Sequence, residues 1–366
     1  MSRFARPEVR ALRAYTLDLT ACRFKLDQNE VPWELPQRIK EEVARRLVAR
    51  EWARYPDFHA ERLRQRLGEA HGWTAEGVLV GNGSNELLAA TLAAVGGPGR
   101  EILGLAPSFG LYPVFALQSG ASYRALGPRS DLALPTAELE REIDRDPRRP
   151  VLVASPNNPT GEAIPPATIE RWAAKLAAAD APLLLDNAYG EFCRHDYRPL
   201  LARHPNLVIF RTFSKAWSLA GIRLGYLLAA PDLVAEIVKV KLPYNLGHAA
   251  GIAGELALDH AELIERRVRL LIARRAQWRA LLAQSQDEVF DSEANFLLTR
   301  NERQKSLLVK GSLAARGIRV RDVSAGPGLE GCLRFSVGTG AALRATGQVL
   351  NGVFSFTGSL SLQEPR

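Results

Sequence analysis

The chain has 366 residues, of which 46% are hydrophobic and 24% charged, and its 48 basic and 40 acidic side chains give a net charge of +8. This length and composition are typical of an ordinary globular protein of about two domains. The basic residues are scattered among acidic ones, with no basic tail and no aromatic-basic ribbon, which argues against nucleic-acid binding.

The cysteines and the termini exclude further classes. Cys22, Cys193 and Cys332 lie far apart, so the sequence predicts neither a disulfide framework nor a zinc knuckle. The six histidines show no paired metal spacing. The first residues lack the apolar core of a signal peptide, and no segment is long and apolar enough to span a bilayer. We expect a cytoplasmic protein without a metal site or a membrane partner.

In chain order, residues 1–35 have few periodic features and are interpreted as an arm. Residues 36–50 have helical periodicity. Pro56 then interrupts the helical pattern, which resumes over 59–70. Short apolar runs then alternate with helical stretches and predict strands at 77–80, 101–105, 150–154, 182–185, 206–210 and 223–228. This alternation is typical of an α/β fold with a mostly parallel sheet covered by helices on both faces.

The last third of the chain has a different pattern. Helical periodicity extends to about residue 283, and apolar runs predict strands at 294–299, 318–323 and 332–337. We therefore predict an arm (1–35), a large domain (36–255) and a smaller α+β domain (256–366). The tail 339–366, rich in Gly, Ser and Thr, lacks the pattern of an amphipathic helix, and we expect it to be disordered or divergent.

A lysine at a predicted strand end carries the strongest chemical indication. The run 206–210 places Ser214 and Lys215 in the following loop, with Arg223 eight residues after the lysine. Ligands bind at strand ends in open α/β sheets. Lysine, unlike arginine, can lose its proton and attack a carbonyl. The alternative is a solvated loop charge, which this stretch alone does not exclude.

Four further residue groups follow predicted strands. Ser84 and Asn85 begin a helix after glycines, which suits a phosphate, although an N-capped turn is the better interpretation of this loop taken alone. Phe109 follows a proline turn and either stacks on a flat ligand or packs in the core. Asn158 lies in the rigid turn 155–161. Asp186 ends an apolar strand, where a carboxylate needs a cation to offset its burial.

Together these residues match the separate parts of pyridoxal phosphate. This cofactor has an aldehyde, a ring nitrogen that must stay protonated, a phenolic oxygen, a flat ring and a phosphate. One such motif is weak evidence, but five in a consistent strand-end context favour a pyridoxal-phosphate enzyme.

The chain resembles the fold-type I pyridoxal-phosphate aminotransferases, and among them the histidinol-phosphate aminotransferases. The resemblance extends from about residue 15 to residue 338, and its most specific pieces are 155–161, 186–189, 213–226 and 243–245. It implies that Lys215 forms a Schiff base with the cofactor aldehyde. Once released by the substrate, Lys215 would be the base that moves a proton from the substrate Cα to the cofactor. It further implies the cofactor contacts Asp186 on the ring nitrogen, Asn158 and Tyr189 on the phenolic oxygen, Phe109 on the ring, and Ser84, Asn85, Ser214 and Arg223 on the phosphate.

The resemblance also implies the partners and the reaction. Tyr55 would reach the phosphate of a second subunit, which implies a homodimer with shared sites. Arg334 would bind a carboxylate and Arg321 the substrate phosphate, with Arg319 and Arg321 on opposite faces if their run is a strand. The remaining substrate positions of the family match Tyr15, Asn29 and Tyr244. The implied reaction is transamination of histidinol phosphate with 2-oxoglutarate.

Some residues depart from the family pattern, and other functions stay open. Asn85 and Asn187 stand where acidic residues are usual, and Val31 and Trp217, expected near the substrate entrance, are also atypical. A threonine-phosphate decarboxylase and an aromatic aminotransferase of the same fold are the alternatives. A non-catalytic regulator built on this fold would carry an added DNA-binding segment, for which we see no room before residue 15.

Overall fold

The computed structural model of the protein describes residues 3–14, 16 and 18–360. Tyr15, predicted to be near the substrate, lies outside these residues. In chain order the strands are β1 (Phe24–Leu26), β2 (Val78–Gly81), β3 (Glu101–Leu105), β4 (Ser122–Leu126), β5 (Val151–Ala154), β6 (Leu183–Asp186), β7 (Leu207–Thr212), β8 (Gly225–Leu228), β9 (Glu288–Val289), β10 (Phe296–Arg300), β11 (Ile318–Asp322) and β12 (Cys332–Ser336). The α-helices are α1 (Pro7–Ala11), α2 (Gln37–Val48), α3 (Glu61–His71), α4 (Ser84–Val95), α5 (Tyr112–Ser119), α6 (Thr136–Arg145), α7 (Pro166–Ala177), α8 (Pro231–Val240), α9 (His248–Asp259), α10 (Ala261–Leu282), α11 (Arg303–Ala315) and α12 (Gly340–Leu360).

The larger sheet has seven strands in the order β2-β8-β7-β6-β5-β3-β4. The strands from β7 to β4 pair in parallel, and β8 is antiparallel to both of its neighbours. Side chains alternate between two buried faces, because successive residues of a strand point to opposite sides. One apolar cluster contains Leu103, Val153 and Leu185, and the other contains Leu152 and Leu184. The predicted α/β fold with a mostly parallel, helix-covered sheet is confirmed.

The smaller sheet has five strands in the order β1-β11-β12-β10-β9. Strand β1 pairs in parallel with β11, and the other neighbours are antiparallel. The residues of β1 belong to the segment interpreted as an arm, so part of that arm is the edge strand of this sheet. The exact division into arm, large domain and small domain stays a prediction.

Each of the nine strands predicted from the sequence overlaps an observed strand, but three short strands were not predicted. β1 and β9 have only three and two residues. β4 lies at the sheet edge, and its residues are mostly exposed or half-buried, so it lacks the apolar run of a central strand. No helix of the described residues is long and apolar enough to cross a membrane.

The prediction of a tail without an amphipathic helix was wrong for residues 340–360, which form α12. Ala342, Thr346 and Leu350 are almost completely buried. Their spacing of four residues places them on one helix face, and the helix packs against α10 and α11. The buried face includes the small residues Ala342, Thr346 and Gly347, which give a weaker apolar signal in the sequence than large side chains do while permitting close packing.

Candidate active site

A cavity of about 690 Å³ lies at the carboxyl edge of the seven-stranded sheet. The loops after β2, β3, β5, β6 and β7 reach it, and residues of β11, β12 and the segment after β1 complete its wall. Twelve of the residues predicted from the sequence line it together: Asn29, Ser84, Asn85, Phe109, Asn158, Asp186, Tyr189, Ser214, Lys215, Arg223, Arg321 and Arg334.

Lys215 lies three residues past the end of β7 and is partly buried. Its Nζ donates a hydrogen bond to the backbone oxygen of Gln28 at 2.8 Å. Burial, and to a smaller extent repulsion from the Arg334 guanidinium, lowers the pKa of Lys215 to about 8. A lysine with this pKa is neutral in a substantial fraction of molecules at mildly alkaline pH, as a nucleophile or a base must be.

Asp186 is the last residue of β6 and only 7% exposed. One carboxylate oxygen accepts a hydrogen bond from the Tyr112 hydroxyl at 2.7 Å, and the other accepts from the Ala188 amide at 3.2 Å. Burial raises the pKa of Asp186, while these donors and Lys215 oppose that rise. A buried carboxylate of this kind is stabilised further by a cation, and a protonated ring nitrogen supplies one.

Tyr112 was not among the predicted site residues. It is fully buried at the first position of α5, it lines the cavity, and its hydroxyl donates to the Asp186 carboxylate. Burial, and to a smaller extent the nearby Asp186 charge, raises the pKa of Tyr112 well above its usual value. The phenol therefore stays protonated and acts as a hydrogen-bond donor. Its place three residues after Phe109 was visible in the sequence, but its hydrogen-bond partner lies 74 residues away.

The amino terminus of α4 forms a seat that suits a phosphate. The helix begins after Gly83, which has no side chain to cap it, and the amides of a first helical turn have no acceptor within the helix. A Cβ on Gly83 would lie 2.6 Å from Arg223 Nη2, so the guanidinium rests directly on this glycine. Arg223 also donates to the Ser214 hydroxyl at 3.3 Å.

The geometry of this seat agrees with an anionic ligand. All groups of the seat are hydrogen-bond donors, and their combined charge is positive. They are the backbone amides of Ser84 and Asn85, the Ser214 hydroxyl and the Arg223 guanidinium. Arg223 itself has a left-handed backbone, with φ of 60°, an uncommon conformation for a residue with a side chain. The residues present therefore fit the phosphate of pyridoxal phosphate, and Asp186 and Lys215 fit its ring nitrogen and its aldehyde.

Two arginines of the small sheet face the same cavity. Arg321 of β11 and Arg334 of β12 are directly paired across the two strands. Arg334 is 8% exposed and donates to Asn158 Oδ1 at 2.5 Å and to the backbone oxygen of Asp27 at 2.7 Å. Like charges opposite each other in a sheet are unfavourable, and an anion between them would offset the repulsion.

The structure distinguishes Arg321 from Arg319. Arg321 lines the cavity, whereas Arg319 forms an ion pair with the buried Asp27 at 3.1 Å. Arg319 also donates to the backbone oxygens of Asp18 and Thr20. The expectation that they lie on opposite faces was wrong, because they are separated by Val320 alone and residues two apart in a strand share a face. Their positions along β11 separate their partners instead: Arg319 holds the amino-terminal segment, whereas Arg321 lines the cavity and also donates to the backbone oxygen of Thr16 at 3.4 Å.

Tyr55 and Tyr244 do not line this cavity within the described chain. Their rings stack on each other with centroids 4.2 Å apart, and their side chains are 77% and 43% exposed. Trp217, expected near the substrate entrance, is also not in this cavity. Its indole donates to Glu191 at 3.0 Å, and it lines a separate pocket beside α10.

Comparison with known proteins agrees with the fold. Residues 23–346 match the family model for aminotransferase class I and II. The chain is 38% identical to histidinol-phosphate aminotransferase 1 of Carboxydothermus hydrogenoformans, over 90% of this chain and 92% of that protein. It is 37% identical to histidinol-phosphate aminotransferase of Chlorobium phaeovibrioides, over 92% and 93%.

A solved structure has the same fold. The histidinol-phosphate aminotransferase of Sinorhizobium meliloti, solved in complex with pyridoxal-5'-phosphate, has a TM-score of 0.85, with 21% identity over 98% of this chain and 99% of that one. The chain belongs to the class I and II aminotransferase family. It is therefore an enzyme that transfers amino groups between small molecules, and the family resemblance drawn from its motifs is confirmed.

Proposed function

We propose that this protein is a pyridoxal-phosphate-dependent aminotransferase that converts histidinol phosphate, with 2-oxoglutarate as the amino acceptor, in histidine biosynthesis. The observation that carries the proposal is the cavity itself, because Lys215, Asp186 and the donors around the start of α4 line one space. These groups match three chemically different parts of one cofactor. The names of the curated relatives at 37–38% identity support the substrate.

Pyridoxal phosphate supplies an aldehyde that bonds amines and a protonated ring that withdraws electrons from the substrate carbon. In our proposal Asp186 keeps the ring nitrogen protonated, and Tyr112 holds the carboxylate in place. Lys215 holds the cofactor and, once released, takes a proton from the substrate carbon. A pKa of about 8 suits a base that works near neutral pH. Asn158 and Tyr189 orient the cofactor's phenolic oxygen.

The paired arginines explain how one cavity accepts two substrates. Histidinol phosphate has a phosphate and no carboxylate, whereas glutamate, formed from 2-oxoglutarate, has two carboxylates. Arg321 and Arg334 are planar, permanently charged donors that bind either anion. Because the two substrates use the same site, they bind in turn, and the amino group stays on the enzyme between the two half-reactions.

We further propose a homodimer with shared active sites in the cytoplasm. Exposed apolar side chains on the segments that carry the stacked pair support the dimer: Val48, Trp52, Tyr55, Phe58, Val240, Leu242 and Tyr244 are each at least 42% exposed. Large exposed apolar patches usually mark an interaction surface. In the dimer, Tyr55 of each subunit contacts the cofactor phosphate of the other.

The visible absorption spectrum of the purified protein tests the cofactor and the substrate together. We expect a yellow protein whose band is lost when histidinol phosphate is added without a keto acid and returns with 2-oxoglutarate. A yellow protein that does not respond to histidinol phosphate would contradict the substrate and favour threonine phosphate or an aromatic amino acid. A protein that cannot take up the cofactor would overturn the proposal.

A further inference from the structure

Asn29 occupies a constrained position between both sheets. It follows β1, it is 1% exposed, and its backbone is left-handed, with φ of 55°. Its backbone oxygen accepts a hydrogen bond from Asn295 Nδ2 at 2.9 Å, and its backbone amide donates to Ser336 Oγ at 2.9 Å. The side-chain Nδ2 donates to the Tyr189 hydroxyl at 2.9 Å. Asn29 thus joins the small sheet to a residue at the carboxyl edge of the large one.

The hydrogen bonds determine which way the Asn29 amide points. Ser336 Oγ accepts from the Asn29 backbone amide and donates its own hydrogen to Asn29 Oδ1, at 3.2 Å. The side-chain oxygen is therefore the acceptor on the Ser336 side, and Nδ2, which can only donate, faces Tyr189. Since the Tyr189 oxygen accepts from Asn29, the phenol hydrogen is directed to a different group.

We infer that Asn29 is a positioning residue that holds the Tyr189 hydroxyl at the cavity wall by donating to its oxygen, so that this phenol acts toward the cofactor as a donor and not as an acceptor. The inference rests on the proposed function, in which Tyr189 donates to the phenolic oxygen of the cofactor. It changes the role expected for Asn29 from substrate binding to orientation of a cofactor contact. Ser336 supports the same orientation indirectly, because its hydroxyl fixes the Asn29 amide.

The test uses the pH at which the visible band of the bound cofactor changes. A hydrogen bond to the phenolic oxygen favours the state with more negative charge there, which is the deprotonated state. In Asn29→Gly the left-handed backbone is retained while the donor is lost. We expect the spectral midpoint to rise by about 0.5–1 pH unit. Ser336→Ala, which keeps Asn29 but removes the hydroxyl that orients it, should shift the midpoint in the same direction by less.

A double-mutant cycle separates positioning from general damage. If Asn29 acts through the Tyr189 hydroxyl, Asn29→Gly shifts the midpoint in wild-type protein but not in Tyr189→Phe. The loss of kcat/KM should also be equal for histidinol phosphate and for glutamate, because both reactions use the same cofactor. Asn301→Gly, the same change at a buried asparagine outside the cavity, should leave the midpoint unchanged.

Four results would count against the inference. A shift that persists in the Tyr189→Phe background would show that Asn29 does not act through Tyr189. A rise in KM for one substrate alone, with the midpoint unchanged, would restore the substrate-binding role. A wild-type protein that takes up no cofactor would overturn the proposed function and this inference with it, whereas a normal wild-type response with an unchanged Asn29→Gly midpoint would overturn this inference alone.

Discussion

Lys215 is partly buried and lies near the Arg334 guanidinium, and both features affect the pKa of its amine. The protonation of Lys215 can therefore be tested in the protein without cofactor. Burial and Arg334 favour the neutral form, so the pKa is lowered from 10.5 to about 8. The neutral fraction therefore grows as the pH rises through 8. We predict that labelling of Lys215 in cofactor-free protein by an amine-reactive ester accelerates with a midpoint near pH 8.

Mass spectrometry of the labelled peptides measures this rate, with the exposed Lys239 as an internal reference for the reagent. Replacing Arg334 by Gln removes a nearby positive charge and should move the Lys215 midpoint to higher pH. A wild-type midpoint close to 10.5 would contradict the low pKa and weaken the proposed role of Lys215 as a base.

The hydroxyl of Tyr112 is expected to contribute to cofactor binding without touching the substrate. Tyr112→Phe removes a donor that lowers the pKa of Asp186 and leaves the buried carboxylate with fewer partners. The carboxyl then ionises less readily and pairs less well with a ring nitrogen. We predict roughly 10-fold weaker binding of pyridoxal phosphate, in line with the loss of one hydrogen bond to a charged group.

Titration of the visible band measures the binding of pyridoxal phosphate to this variant. Tyr123→Phe is the matched control, because Tyr123 lies beside Tyr112, with ring centroids 6.5 Å apart, and has no hydrogen bond to Asp186. Equal losses in the two variants would indicate general loosening of this region instead of a specific effect on the carboxylate.

At the level of single elements, strand β11 carries two arginines, Arg319 and Arg321, two residues apart. We expect Arg321 to bind substrate and Arg319 to stabilise the amino-terminal segment. Arg321→Ala should raise KM for histidinol phosphate by about 10- to 100-fold, since a hydrogen bond to a charged group contributes about 1.5–3 kcal/mol. Arg319→Ala should instead leave the buried Asp27 without its ion pair. We expect a lower melting temperature and faster proteolysis of the amino-terminal segment.

Steady-state kinetics and thermal unfolding of the two variants form a matched pair. The different partners of the two side chains predict that KM changes mainly in one variant and stability mainly in the other. The reverse result, with Arg319→Ala raising KM and Arg321→Ala lowering stability, would contradict these assigned partners.

How far the sequence predicts such elements depends on the range of the contacts involved. The strand ends with Asp186 and Lys215 were predictable, because apolar runs mark the strands and parallel strands end at one edge. Strand β1 was not, because it is held by pairing with β11, about 290 residues later. The contact of Asn29 with Tyr189 spans 160 residues and that with Ser336 spans 307. No local pattern encodes such partners.

At the level of the whole molecule, the proposed dimer would bring two copies together at the stacked aromatic pair and the exposed apolar side chains around it. Trp52 and Leu242 are 71% and 70% exposed, and an acidic residue there would have to be buried in the dimer at a large desolvation cost. We predict that Leu242→Asp is a monomer by sedimentation and loses most activity. Leu307→Asp, at an exposed leucine of α11, is the control and should remain a dimer.

Shared active sites make a stronger prediction, because each site would combine Lys215 of one subunit with Tyr55 of the other. Lys215→Ala and Tyr55→Ala should each be impaired as pure dimers. After unfolding and refolding as an equal mixture, about half of the dimers are mixed by random pairing, and each mixed dimer of a two-fold assembly has one intact site. Activity should therefore recover to about one quarter of the wild-type value. If the refolded mixture has only the average of the two separate activities at the same total concentration, Tyr55 acts within its own subunit or not at all. That result would overturn the shared sites but not the assignment of the cofactor residues within each cavity.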